Sequence, residues 1–262
     1  MLAKLMNIID FRIEAADGAI GEVHDFYFDE ETWMIRYLVA DTRRWLPGKR
    51  VLLPPDAFGE LNWATSRFPI KLTQDQIRNS PDIAEDLPVS RQREIDLHSY
   101  YGWTPYWDLY PVGHGPVPLV HPDAVGHAPI PSAGSGPAPD PSSIPSARDR
   151  GDPNLRSVRE VKGYSIAATD GELGQVKDFV AETDSWRVLY LLVDTGDWLP
   201  GRAILLPIDW ITDISWPSRH VVVDLQRQRI EEGPPLDPDA PITREYETEL
   251  YEHFGRAPYW MA

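Results

Sequence analysis

The chain has 262 residues, 42% of them hydrophobic, with 10 Trp and 11 Tyr, which is enough apolar material for two ordinary domain cores. Lys and Arg number 25 against 41 Asp and Glu, and the resulting formal net charge of -16 repels phosphate backbones and sets nucleic acid aside as a direct partner. Cysteine is absent, which excludes disulfides, thiolate catalysis and cysteine-ligated zinc or iron–sulfur centres.

From the start, the chain meets Asp10 and Arg12 too soon for a secretory hydrophobic region, and no apolar run approaches the ~20 residues of a membrane span. A soluble, cytoplasmic protein without a transmembrane segment is the expectation. Asp17-Gly18 reads as a hairpin-type turn, because Gly takes positive φ without a Cβ clash. Residues 23–28, rich in β-branched and aromatic side chains, and the nearly continuous apolar run 35–40 read as strands. Leu46-Pro47-Gly48 is a turn, and 51–53 is a strand ended by Pro54, which has no N–H for a ladder. Residues 58–63 and 68–72 complete a set of short strands that predicts a small closed or half-open barrel. Ser90 then caps a helix reaching Tyr101, Gly102 stops it, and a Pro105-Tyr106-Trp107 tail follows. Residues 108–153, loaded with Pro, Gly, Ser and Ala, read as a flexible linker of about 35–40 Å root-mean-square span.

Beyond the linker everything returns. Trp33 and Trp186 stand 153 residues apart, and the same offset carries Asp17-Gly18 onto Asp170-Gly171 and Asp41-Thr42 onto Asp194-Thr195. It also carries Trp45-Leu46-Pro47-Gly48 onto Trp198-Leu199-Pro200-Gly201, Trp63 onto Trp216, and Pro105-Tyr106-Trp107 onto Pro258-Tyr259-Trp260. A period this long marks a duplicated domain, not a solenoid. The expected organisation is a first repeat over 1–107, a linker over 108–153 and a second repeat over 154–262, whose helix is capped by Thr243 and stopped by Gly255.

Candidate chemistry is sparse. Of seven histidines, His114, His121 and His127 lie in the linker at spacings that suit no metal site. The other four, His24, His98, His220 and His253, face Lys177, Tyr251, Arg67 and Tyr100 at the repeat-equivalent positions. Among the recurring acids Asp17, Asp25, Asp41, Asp56, Asp86 and Glu94, matched by Asp170, Asp178, Asp194, Asp209, Asp239 and Glu247, a pair could form an acid–base couple. Asp17 has a turn role, however, and Asp41 ends a strand where it satisfies backbone donors, and structural roles are expected of the set. Arg43-Arg44 with Lys49-Arg50, and Arg227 with Arg229, sit beside acids and read as solvated surface. The Gly18–Gly21 and Gly171–Gly174 stretches open no helix, so they are not phosphate loops, and no Gly-x-Ser-x-Gly elbow occurs. No catalytic residue, cofactor or metal ligand is assigned. Trp33 and Trp63 are expected in the cores. Trp45 and Trp198 lie in turns, where each covers a barrel end or faces a partner. The tails, Tyr106 with Trp107 and Tyr259 with Trp260, are expected to exchange between copies or to share a two-fold seam, a pairing that also allows a homodimer.

The order Asp-Gly, x-Gly, Val-x-Asp-Phe, Trp, Tyr-Leu-Val-x-Asp-Thr, Trp-Leu-Pro-Gly, Leu-Leu-Pro resembles the PRC-barrel domain over about residues 5–80 and 158–233. That family is named for the cytoplasmic domain of the photosynthetic reaction-centre H subunit and also supplies the C-terminal domain of a ribosome-maturation factor. The resemblance implies a mainly β fold of two small PRC-type barrels, each followed by a helix and an aromatic tail, and a docking module instead of a catalyst. Neither the membrane helix of the first relative nor the nucleic-acid domain of the second is present, so neither role transfers directly. The expected function is a non-enzymatic scaffold for a protein partner, with Trp45, Trp198, Tyr106, Trp107, Tyr259 and Trp260 as its interaction surface. The alternatives are a small-molecule or metal binder in a groove between the barrels and, more remotely, a ribosome-assembly factor.

Overall fold

The longest strand of each copy organises its sheet. In the computed structural model, which describes residues 1–43, 45–46, 50–81, 91–103 (backbone alone for 91–95), 154–196, 203–215, 217–237 and 240–261, β3 spans Gly18–Asp29 and its counterpart β9 spans Gly171–Glu182. One edge of β3 carries β4 (Ile35–Asp41), which in turn pairs with β5 (Arg50–Leu53). The other edge carries β2 (Arg12–Ala15), folded back through the Asp17-Gly18 turn, and β2 pairs in parallel with β6 (Arg67–Pro69). The second copy repeats the plan with β8 (Ser165–Ala168), β9, β10 (Arg187–Asp194), β11 (Ala203–Pro207) and β13 (His220–Val223).

Gly21 and Gly174 are needed where these long strands pass under a neighbouring carbonyl. A Cβ at either would stand 2.0 Å from the backbone oxygen of Asp41 or Asp194, and their φ values of 156° and 144° disfavour any other residue.

The unexpected element is the arm. Strand β1 (Leu2–Lys4) pairs antiparallel with β9 of the second copy, and β7 (Leu155–Ser157) pairs antiparallel with β3 of the first. The registers are equivalent: Leu2 faces Glu182 as Leu155 faces Asp29. Each long strand thus gives part of one edge to its own β2 or β8 and another part to its sister's arm. At the pseudo-two-fold axis itself, the equivalent residues Met34 and Arg187 bridge each other. The barrels share one compact unit, Met1–Glu85 with Asn154–Ala262, while Asp86–Pro153 is a second. The shared core is centred on Phe26, Phe28, Tyr37, Phe68, Phe179 and Tyr190, all fully buried.

Several expectations change. Closed barrels are not formed: among the described residues no ladder joins the end strands β5 and β6, or β11 and β12 (Ile211–Ser215). The predicted strand over 58–63 is reduced in the first copy to the bridges Phe58–Ile70 and Asn62–Arg67, whereas the second copy forms β12 there. Short helices α1 (Gln74–Arg78) and, in the second copy, α4 (Arg227–Glu231) follow the last strands, α1 held by a Thr73–Gln76 capping box. The predicted terminal helices occupy α2 (Arg91–Tyr101), within Asp86–Pro153, and α5 (Arg244–Phe254). Thr243 accepts from the Tyr246 N–H at the start of α5, and Gly255 ends it at φ 64°. The linker reading for 108–153, the Pro-Gly of both turns, Trp198, Trp216, Tyr106 and Trp107 lie outside the described residues.

Candidate functional site

Two buried carboxyls sit where the copies exchange. Asp25 of β3 accepts from the backbone N–H groups of Phe26 (2.8 Å) and Arg159 (3.1 Å), and a short hydrogen bond joins it to the Ser157 hydroxyl. Ser157 in turn caps the one-turn helix α3 (Val158–Val161) that follows the second copy's arm. Asp178 does the reciprocal work, accepting from Phe179 N–H (2.7 Å) and from Met6 N–H (2.9 Å) just after the first copy's arm. Each recurring Val-x-Asp-Phe carboxyl therefore fastens its sister's arm. Burial pushes both carboxyls up to about 6, against the opposing pull of their hydrogen-bond donors.

The shared indoles cross the same seam. Trp33 and Trp186 hold φ values of 60° and 54°, an unfavourable region for a bulky side chain that costs about 1–2 kcal/mol. Cross-copy hydrogen bonds offset that strain: Ile35 N–H donates to the Trp186 carbonyl and Val188 N–H to the Trp33 carbonyl, each at 2.8 Å. Trp186 enters the first copy's core, stacked on Phe26 and Phe68 at 5.9 and 5.5 Å and edge-on to Phe58 at 4.9 Å. Trp33 stacks on Phe28 at 5.3 Å and lines a groove of about 160 Å³ with Ile211, Asp213 and Ile214 of the second copy. Both are core residues, as expected, yet Trp186 serves the sister's core. Trp63, also expected in a core, is 37% exposed and touches Phe11 edge-on, because it occupies the turn between Asn62 and Arg67 and not a strand.

The expected surface residues divide. Trp45 is half-buried, with the Arg78 guanidinium 5.2 Å from its ring centre. Tyr259 and Trp260 do not exchange: the tail folds onto its own copy. The Glu247 carboxylate of α5, 2% exposed, accepts from Tyr190 (2.6 Å) and Tyr259 (3.2 Å) and pairs with Arg244. Arg244 stands 4.0 Å over the Trp260 ring, and Trp260 meets Tyr251 edge-on. Burial pushes Tyr251 up to about 12 and Tyr190 higher still. Burying Glu247 demands these partners: Tyr190 comes from β10, Arg244 from the same helix and Tyr259 from the tail, an arrangement that the recurrence of Glu94 and Glu247 alone does not reveal.

Among the described residues no group of three or more His, Asp or Glu could hold a metal ion, and no helix is long and apolar enough to cross a membrane. A family model described as PRC-barrel domain matches residues 5–76 and 153–229. No curated protein matches the chain.

Proposed function

Because this chain belongs to the PRC-barrel domain family, we propose that it is a non-enzymatic scaffold whose joined barrels present a fixed surface to a protein partner in the cytoplasm. The observation that carries this reading is the reciprocal arm exchange. Exchanged strands, two buried carboxyls and two crossing indoles hold one barrel against the other, so groups on the outside keep a constant spacing without help from a ligand. Pre-organisation of that kind lowers the ordering cost of association. The buried carboxyls Asp25, Asp29, Asp178 and Glu247 are engaged with the chain's own donors, which suits assembly better than turnover. Trp45 is the best-placed described contact, a large amphipathic ring half open to solvent, with Trp198, Tyr106 and Trp107 as further candidates. Tyr259 and Trp260 offer only the parts of their rings not packed on α5.

The test is affinity purification of the full-length protein from its native cell, side by side with Trp45→Ala. A stable protein partner is expected with the native chain and at least about tenfold less of it with the variant, at unchanged melting temperature. No stable partner, together with a substrate turnover abolished by changing one recurring carboxylate, overturns the reading. The groove beside Trp33 favours a second, smaller reading as a ligand site. Its volume of about 160 Å³ is below the usual range for organic ligands, so calorimetry against small metabolites and divalent metals is the matching test.

A further inference from the structure

One cluster in the first copy has no equivalent in the second. His24 of β3 is faced by Arg50 at the start of β5, by Arg159 of α3, and by Arg43 and Asp41 at the end of β4. The repeat-equivalent positions hold Lys177, Ala203, Gly196 and Asp194 in the second copy and Met6 in the first. The same fold is therefore built without this concentration of guanidinium groups, and the fold alone gives no reason for it.

The charges around His24 do not cancel. Asp41 stands directly across the ladder from Arg50, yet its carboxylate is taken by Arg43, through Nη2 at 2.6 Å, Nε at 3.0 and 3.1 Å and the backbone N–H at 3.1 Å. Arg43 holds Asp41 down to about 2. Arg50 is left half-buried, its Nε buried with no hydrogen-bond partner and no ion pair to it among the described residues. An Nε–H removed from water without an acceptor is unfavourable, and such an unsatisfied group calls for an explanation. Arg159 donates through Nη1 to the His24 carbonyl at 3.0 Å and lies 3.3 Å from His24 Nδ1. With Nδ1 accepting from a guanidinium, the ring proton of neutral His24 belongs on Nε2, which is then a donor. Burial first, then Arg50 and Arg159, lower the pKa of His24.

We infer that this cluster is an anion site, in which Arg50, Arg159 and the His24 Nε2–H take a phosphate group. The choice of phosphate over carboxylate follows from the donors, which come from three separate segments (β3, β5 and α3) and so suit a tetrahedral anion better than a planar one that a single guanidinium can grip. In a chain of net charge -16, only such a local excess of cations can hold an anion at all. Glu22, in the same cross-strand row as Asp41 and Arg50, limits the affinity and makes it sensitive to salt.

The experiment is NMR titration of the histidine ring signals of the full-length protein with inorganic phosphate at low ionic strength. The expected result is a saturable shift at His24 and a rise in its pKa, since a bound anion favours imidazolium. Arg50→Gln is expected to weaken the response at least about tenfold, while Arg229→Gln, exposed on α4 of the second copy, leaves it unchanged. A second arm offers vesicles of phosphatidylcholine with or without phosphatidic acid. Co-sedimentation only with phosphatidic acid, lost in R50Q and competed by phosphate, assigns the group to a lipid headgroup; a His24 response to free phosphate without vesicle binding assigns it to a soluble ligand. Overturning results are an absence of saturable change at His24 up to tens of millimolar phosphate, or an equal response in R50Q at an unchanged melting temperature.

Discussion

Set side by side, the two copies agree in the backbone that joins them and differ in the side chains packed around it. Asp25 and Asp178, Gly21 and Gly174, and the arms β1 and β7 are equivalent in position and in backbone partner, and Trp33 and Trp186 accept equivalent cross-copy backbone hydrogen bonds. Around these joints, β12 has only bridges as its counterpart, Phe58 and Phe68, which cage Trp186, give way to Ile211 and Val221, and the guanidinium groups around His24 are replaced by small or apolar residues. A duplicated domain keeps the backbone joints between its halves, and the side chains around them are free to diverge.

The sharpest way to break this comparison is at the indoles. Trp186→Ala empties a cage of three phenylalanines and should cost about 3–5 kcal/mol in urea denaturation. Trp33→Ala, beside an open groove lined by isoleucines, should cost less; equal losses would mean that the two crossings are energetically alike. Next comes pH. The folded-state pKa of about 6 at Asp25 and Asp178 lies above the unfolded value of 3.8, so the stability these carboxyls contribute is fully present below about pH 4 and lost as pH rises through about 6. The loss should be about 2–3 kcal/mol per carboxyl, and Asp25→Asn and Asp178→Asn should each flatten half of it in melts taken between pH 4 and 7. Gly21→Ala and Gly174→Ala should each destabilise by about 1–3 kcal/mol, and by similar amounts, since both meet a carbonyl at the same distance. The smallest effect belongs to the second copy's tail: Tyr259→Phe removes one hydrogen bond to Glu247 and should cost about 1 kcal/mol in thermal melts.

The duplication and its register could be read from residue identities alone, because an ungapped offset carried turns, tryptophans and strand runs together. The cap and stop of α5 were equally legible, since Thr243 and Gly255 act on their immediate neighbours. The exchange was not legible. Leu2–Lys4 and Leu155–Ser157 are too short to show an alternating pattern, and their partners are well over a hundred residues away. The exchange expected of the second copy's tail rested on the tendency of features kept in both copies to preserve an isologous contact; the burial of Glu247, whose need for donors holds Tyr259 to its own copy, carries no mark in the sequence. Arg43 and Arg50 read as solvated surface because their sequence neighbours include acids, whereas Arg159 reaches His24 only through the fold.

The arms also set a timetable. Strand β3 is complete at Asp29, but its partner Leu155–Ser157 leaves the translation machinery some 126 residues later, roughly 6–25 s at about 5–20 residues per second. Throughout that interval the newborn half has a bare stretch of strand edge, an unfastened Asp25, and a phenylalanine cage waiting for Trp186. Crowded nascent chains in that condition can lend each other the missing arm, so slow synthesis or high expression should favour intertwined oligomers over the single-chain clasp.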